Sequence, residues 1–137
     1  MERSPIVAHR VRRIEGSCAF LPQRFLRAGF FAALSKHELA LYVFLVLAAD
    51  RNGISFYHVD RICSILEITV DDYIDARNGL IGKDLLAFDG SRFQVLSLPD
   101  KPREQSRAAL RTQGDLETHD PATIRQMLQS LPGRQRG

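Results

Sequence analysis

The feature that most constrains this chain is an uninterrupted run of apolar and aromatic residues over 39–49. The run is too short to span a membrane, which takes about 20 apolar residues. A helix that is apolar on every side is expected to be buried. Ser35, followed three residues later by Glu38, has the spacing of a capping box at a helix start. We therefore predict a central buried helix over residues 35–50, with the other elements packed around it.

Local patterns predict further elements on both sides of this helix. Thr69 with Asp72 is typical of a helix start, and Asp89-Gly90 between two apolar runs is typical of a tight β-hairpin. In chain order we predict a helix over 21–27, the central helix, a strand over 54–56, helices over 58–66 and 69–83 separated by a tight turn, and a hairpin over 85–96.

The basic residues are concentrated at the two ends of the chain. The net charge of +3 divides into +4 over residues 1–34, −3 over 35–99 and +2 over 100–137. Composition favours disorder after residue 100, and Asp120-Pro121 then indicates a new helix start. The predicted organisation is a flexible basic arm at 1–15, a domain at 16–99, a disordered linker at 100–119, and a short amphipathic helix with a frayed C-terminus at 120–132.

Several classes of function find no support in the sequence. The N-terminus has no apolar signal-peptide core, so we expect a cytoplasmic protein. Cys18 and Cys63 lie in apolar surroundings without metal-ligand spacing, which predicts two buried free thiols. The four histidines are scattered, and no catalytic or phosphate-binding motif is present. We therefore predict a non-enzymatic protein with no cofactor and no metal.

The order helix, strand, helix, turn, helix and hairpin is that of a winged helix-turn-helix, an α+β fold dominated by helices, with a short two-stranded wing. Over residues 20–99 the chain resembles the N-terminal winged-helix domain of plasmid replication initiators and related mobile-element proteins. The resemblance is carried by Phe20-Leu21-Pro22 with Phe25-Leu26, Leu34-Ser35 with Leu41-Tyr42, Gly53-Ile54-Ser55, and Leu80-Ile81. It implies a bacterial protein associated with double-stranded DNA in replication, transposition or regulation.

The charges on the predicted recognition helix do not match that role. A helical wheel places Asp71, Asp72 and Asp75 on its outward face, with Lys83 as the only cation. Such a face is poorly matched to DNA phosphates. The same wheel places Arg77 on the inward face, where we expect its guanidinium to be partly buried and paired with Asp84, Asp50 or Asp60.

Two functional hypotheses follow. The first is DNA association, with candidate contacts at Arg10, Arg12, Arg13, Arg24, Arg27, Asn78, Lys83 and Arg92, assisted by Arg103, Arg107 and Arg111. The second is a protein-interaction adaptor, whose acidic helix face of Asp71, Asp72 and Asp75 meets a basic partner. Homodimerisation through the N-terminal helix or the tail helix is compatible with both.

Overall fold

The computed structural model describes residues 3–103 of the 137-residue chain. This part contains four α-helices and a small three-stranded antiparallel sheet, which confirms the predicted α+β class. The elements are α1 (Arg24–Arg27), α2 (Lys36–Ala48), β1 (Ile54–Ser55), α3 (Val59–Leu66), α4 (Val70–Gly82), β2 (Leu86–Phe88) and β3 (Phe93–Val95). The predicted tail helix at 120–132, and the linker beyond residue 103, lie outside the described residues.

The predicted capping box starts α2. The Ser35 hydroxyl accepts from the Glu38 backbone N–H at 3.2 Å, and Glu38 Oε1 accepts from the Ser35 N–H at 2.8 Å. The prediction that this helix is buried on all sides is wrong, because the side chain of Leu47 is 70% exposed. Only one face of α2, with Leu41 and Leu45 completely buried, enters the core. An uninterrupted apolar run can therefore form a helix that is buried on one face and exposed on another.

A tight turn joins α3 to α4, as predicted. Glu67 ends α3 in the left-handed conformation at φ 54°, and Thr69 then caps α4 by accepting from the Asp72 N–H at 3.0 Å. The start of α3 is capped by His58 Nδ1, which accepts from the Asp60 N–H at 3.2 Å. Three side-chain caps therefore set the starts of the three longer helices.

The predicted hairpin is present, but it belongs to a larger sheet than expected. β2 and β3 pair antiparallel with Phe88 opposite Phe93, and β1 pairs with the other edge of β3, giving the order β1-β3-β2. The sheet and the helices enclose one core, with α4 packed most extensively against α2. The buried apolar residues are Phe25, Phe30, Leu41, Tyr42, Leu45, Val59, Ile62, Tyr73, Ile74, Ala76, Leu80, Ile81, Leu85, Leu86, Phe88 and Phe93.

Candidate nucleic-acid interface

The N-terminal segment is exposed along its whole described length. Every residue from 3 to 24 is exposed, and one 3-10 turn over Ala8–Arg10 is its only regular structure before α1. Arg10, Arg12 and Arg13 therefore all present their guanidinium groups to solvent. Exposed arginines of this kind can reach phosphate oxygens without first breaking contacts inside the protein.

Arg24 and Arg27 extend the basic character onto the folded domain. Both lie on α1 and are exposed, while Phe25 between them is buried and stacks on Tyr42 of α2 with ring centroids 5.0 Å apart. Arg24 donates to the Pro99 carbonyl oxygen and lies 5.3 Å above the ring of Phe30. The buried Phe25 therefore fixes the position of α1 and of the two arginines beside it.

In contrast, α4 is largely a core helix. Seven of its thirteen residues are buried, and only Asp71 and Asp75 are exposed. Asp72 is half-exposed and faces the imidazole of His37 on α2, at 3.9 Å between Nδ1 and Oδ1. The exposed surface of α4 thus carries carboxylates and no cation.

Lys83, a candidate DNA contact, already forms hydrogen bonds within the protein. Its Nζ donates to Glu38 Oε1 at 2.6 Å and to the Ala33 carbonyl oxygen at 2.9 Å, and its side chain is only 25% exposed. Glu38 in turn lies directly against Gly79, where a Cβ atom would come within 1.8 Å of Glu38 Oε2. The missing side chain at Gly79 therefore makes room for the carboxylate that joins α2 to α4.

Asn78, another candidate contact, is also engaged with its own helix. Its Oδ1 accepts from Arg77 Nη2 at 3.0 Å and from Nε at 3.2 Å. Arg77 is completely buried, more deeply than expected, with its guanidinium 5.5 Å from the Tyr73 ring centroid and 5.2 Å from that of Phe88. Burial raises the pKa of the Tyr73 phenol, and the charge and hydrogen bond of Arg77 oppose that rise. This cluster lies in the core, and the Asn78 amide oxygen is occupied by its hydrogen bonds from Arg77.

Arg92 and Asp84 form ion pairs at the surface of the domain. Arg92 Nε donates to Asp89 Oδ2 at 2.9 Å, although the arginine side chain remains 59% exposed. Asp89 also accepts from the backbone N–H groups of Arg92 and Ser91, which hold the pKa of its carboxyl well below the usual range. Asp84, an expected partner of Arg77, pairs instead with Arg103 at 3.0 Å.

The two cysteines differ from expectation in their exposure. Both are free thiols, as predicted, but Cys18 is exposed and only Cys63 is partly buried. Burial raises the pKa of the Cys63 thiol. The error at Cys18 arose because its apolar sequence neighbours, such as Phe20, are themselves exposed.

Two further classes of site are absent from residues 3–103. No group of three or more histidine, cysteine, aspartate or glutamate side chains in this part of the chain is placed to hold a metal ion. None of the helices described here combines the length and apolarity needed to cross a membrane.

In comparisons with known proteins, no protein-family model, no curated protein and no solved structure matches the chain.

Proposed function

We propose that this protein is a non-enzymatic, DNA-associated winged-helix protein that holds duplex DNA mainly through its N-terminal arginines. The observation that carries the proposal is the exposure of basic side chains between residues 3 and 27, where one glutamate, Glu15, is the only acidic residue. The exposed cations are Arg3, Arg10, Arg12, Arg13, Arg24 and Arg27. Contacts from such a segment are mostly to phosphates, so the expected binding is salt-sensitive and weakly selective for sequence.

The order of elements and the sheet order β1-β3-β2 support the winged-helix assignment. In that fold α4 would correspond to the helix that enters the major groove. Its exposed carboxylates would repel phosphates, and Lys83 would first have to leave Glu38. We therefore assign α4 a structural role and place the attraction for DNA on the N-terminal segment. Replication, transposition or regulation of a mobile element is the process that the resemblance to plasmid replication initiators favours.

The direct test is binding to random-sequence duplex across a salt series, with the full chain and with a variant lacking residues 1–15. The full chain should bind at low salt and weaken steeply as salt rises, and the shortened chain should show weaker binding with a shallower dependence. No binding by the full chain at about 50 mM salt would refute the proposal.

The exposed carboxylates of α4 favour a second candidate, a protein-interaction adaptor with a basic partner. The double substitution Asp71→Lys/Asp75→Lys separates the two functions. It should abolish capture of a basic protein if the acidic face is the binding surface, and it should tighten duplex binding if DNA is the ligand.

A further inference from the structure

A cleft of about 710 Å³ lies beside the basic N-terminal segment. Three stretches of chain line it. They are residues 17–24, the second half of α2 with the turn that follows it, and residues 95–98 at the end of β3. The volume is within the range of roughly 300–1,000 Å³ that ligand sites occupy. The cleft is therefore large enough to admit a ring system the size of a nucleobase.

An exposed aromatic ring is the most unusual part of the lining. Phe20 is 83% exposed, although it belongs to a segment whose next aromatic residue, Phe25, is 97% buried on the same measure. Stacking a flat apolar partner on such a ring is favourable, because it removes the apolar surface of the ring from water. Tyr42 and Val46 of α2 also line the cleft, so a ring entering it would meet apolar groups beyond Phe20 itself.

Cations lie next to these apolar groups. Arg24 and Arg51 both contribute to the lining and are exposed. Among the described residues that line the cleft, Asp50 is the one with a carboxylate, and its Oδ1 accepts from the backbone N–H groups of Asn52 at 2.8 Å and Ile54 at 3.0 Å. Arg13 precedes Ser17 by four residues, which places it within about 14 Å of the cleft along the chain.

We infer that this cleft binds an unpaired base of single-stranded nucleic acid, with Phe20 as the stacking platform and Arg24 and Arg51 beside the phosphates. An exposed aromatic ring next to a basic groove is the combination by which proteins hold single strands without reading their sequence. A base within a duplex has both faces covered by its neighbours and cannot stack on Phe20. The inference rests on the proposed function and adds a preference for unpaired strands.

The test compares a fluorescent thymidine oligonucleotide with a matched duplex, using the full chain and the Phe20→Ala variant. Loss of the ring should weaken single-strand binding about 5- to 100-fold and leave duplex binding almost unchanged. Phe20→Tyr, which keeps the ring, should bind like the parent. The matched control is Phe56→Ala, since Phe56 is 70% exposed and does not line this cleft. Circular dichroism of each variant establishes that the fold is retained.

A second measurement uses the exposed thiol of Cys18, which lines the same cleft. Saturating oligonucleotide should slow alkylation of Cys18 while leaving the rate at Cys63 unchanged as an internal reference. An unchanged rate at Cys18, or equal effects of Phe20→Ala and Phe56→Ala, would overturn the inference. If duplex binding persists in that case, the proposed function stands and only the cleft assignment fails; binding to neither nucleic acid refutes both.

Discussion

The N-terminal segment and α4 are opposites in charge and in burial. Residues 3–24 are exposed throughout and carry most of the exposed cations that we propose as phosphate contacts, whereas α4 has seven buried residues and exposes only Asp71 and Asp75. By order of elements α4 would be the DNA-reading helix. The comparison teaches that the order of elements does not by itself identify a binding surface. The side chains of α4 are mostly occupied with the core, and we propose that the N-terminal segment holds the ligand.

The largest expected effect tests the structural role of α4. Gly79→Ala adds a Cβ that would come within 1.8 Å of Glu38 Oε2, so the Glu38 carboxylate has to shift, and we expect it to lose its hydrogen bonds with Lys83 and with the Ser35 N–H. Loss of the two charge-assisted hydrogen bonds that Glu38 Oε1 accepts in this part-buried pair costs about 3 kcal/mol in total, and alanine regains about 1 kcal/mol of helix propensity. We expect the free energy of unfolding to fall by about 2 kcal/mol in urea titrations.

The control for that change is Asp75→Ala, an exposed position on the same helix, which should alter stability by less than about 0.5 kcal/mol. A Gly79→Ala protein as stable as the parent would contradict the account, because Glu38 could then leave Lys83 at no cost.

The next effect tests the opposite region. The triple variant Arg10→Gln/Arg12→Gln/Arg13→Gln should bind duplex about tenfold more weakly at low salt, and the slope of log affinity against log salt should fall by about 2–3. Its stability should not change, because these side chains are exposed. The measurement is fluorescence anisotropy over a salt series. Arg92→Gln removes one exposed guanidinium that is paired with Asp89 and should have little effect; equal losses in the two variants would contradict the assignment.

A smaller effect should come from giving α4 positive charges like those of the N-terminal segment. Asp71→Lys/Asp75→Lys places cations at the only exposed positions of the helix. Duplex affinity should rise about three- to tenfold at low salt because unfavourable charge is replaced by favourable charge. Asp71→Asn/Asp75→Asn should give a smaller rise in the same anisotropy assay. Unchanged or weaker binding by the lysine variant would contradict the prediction that charge on α4 acts through space on the bound DNA.

The smallest effect concerns Asp89 in the β2–β3 hairpin, which lies outside both of the regions compared above. Backbone N–H groups of Arg92 and Ser91 lower the pKa of Asp89, so folding favours its ionised form. The stabilisation is therefore complete above the ordinary carboxyl pKa of about 4 and is lost as pH falls below it. Asp89→Asn should lower the free energy of unfolding by less than about 1 kcal/mol at neutral pH. Urea titrations should show that difference shrinking in acid; a constant difference would contradict the linkage.

Local signals made much of the fold predictable from sequence. The capping box of Ser35, the cap at Thr69 and the turn at Asp89 each depend on residues within four positions of one another, and each is present. The elements that these signals start or join are therefore found close to their expected places.

Features that depend on distant residues were not predictable in the same way. Nothing near Lys83 in the sequence indicates that Glu38, 45 positions away, holds it. The pairing of β1 with β3 and the exposure of Leu47 likewise depend on how α2 sits against the sheet. The cleft beside Phe20 brings together three separate stretches of chain, so a helical wheel or a motif search has no means of finding it.

The measurement that tests the central claim most directly is a titration of ¹⁵N-labelled protein with random-sequence duplex, followed by amide chemical shifts. The account predicts large shifts between residues 3 and 27 and little change at Asp71, Asp75 and Asn78. Shifts concentrated on α4, with the N-terminal arginines unaffected, would contradict it and return α4 to the role of the DNA-contacting helix.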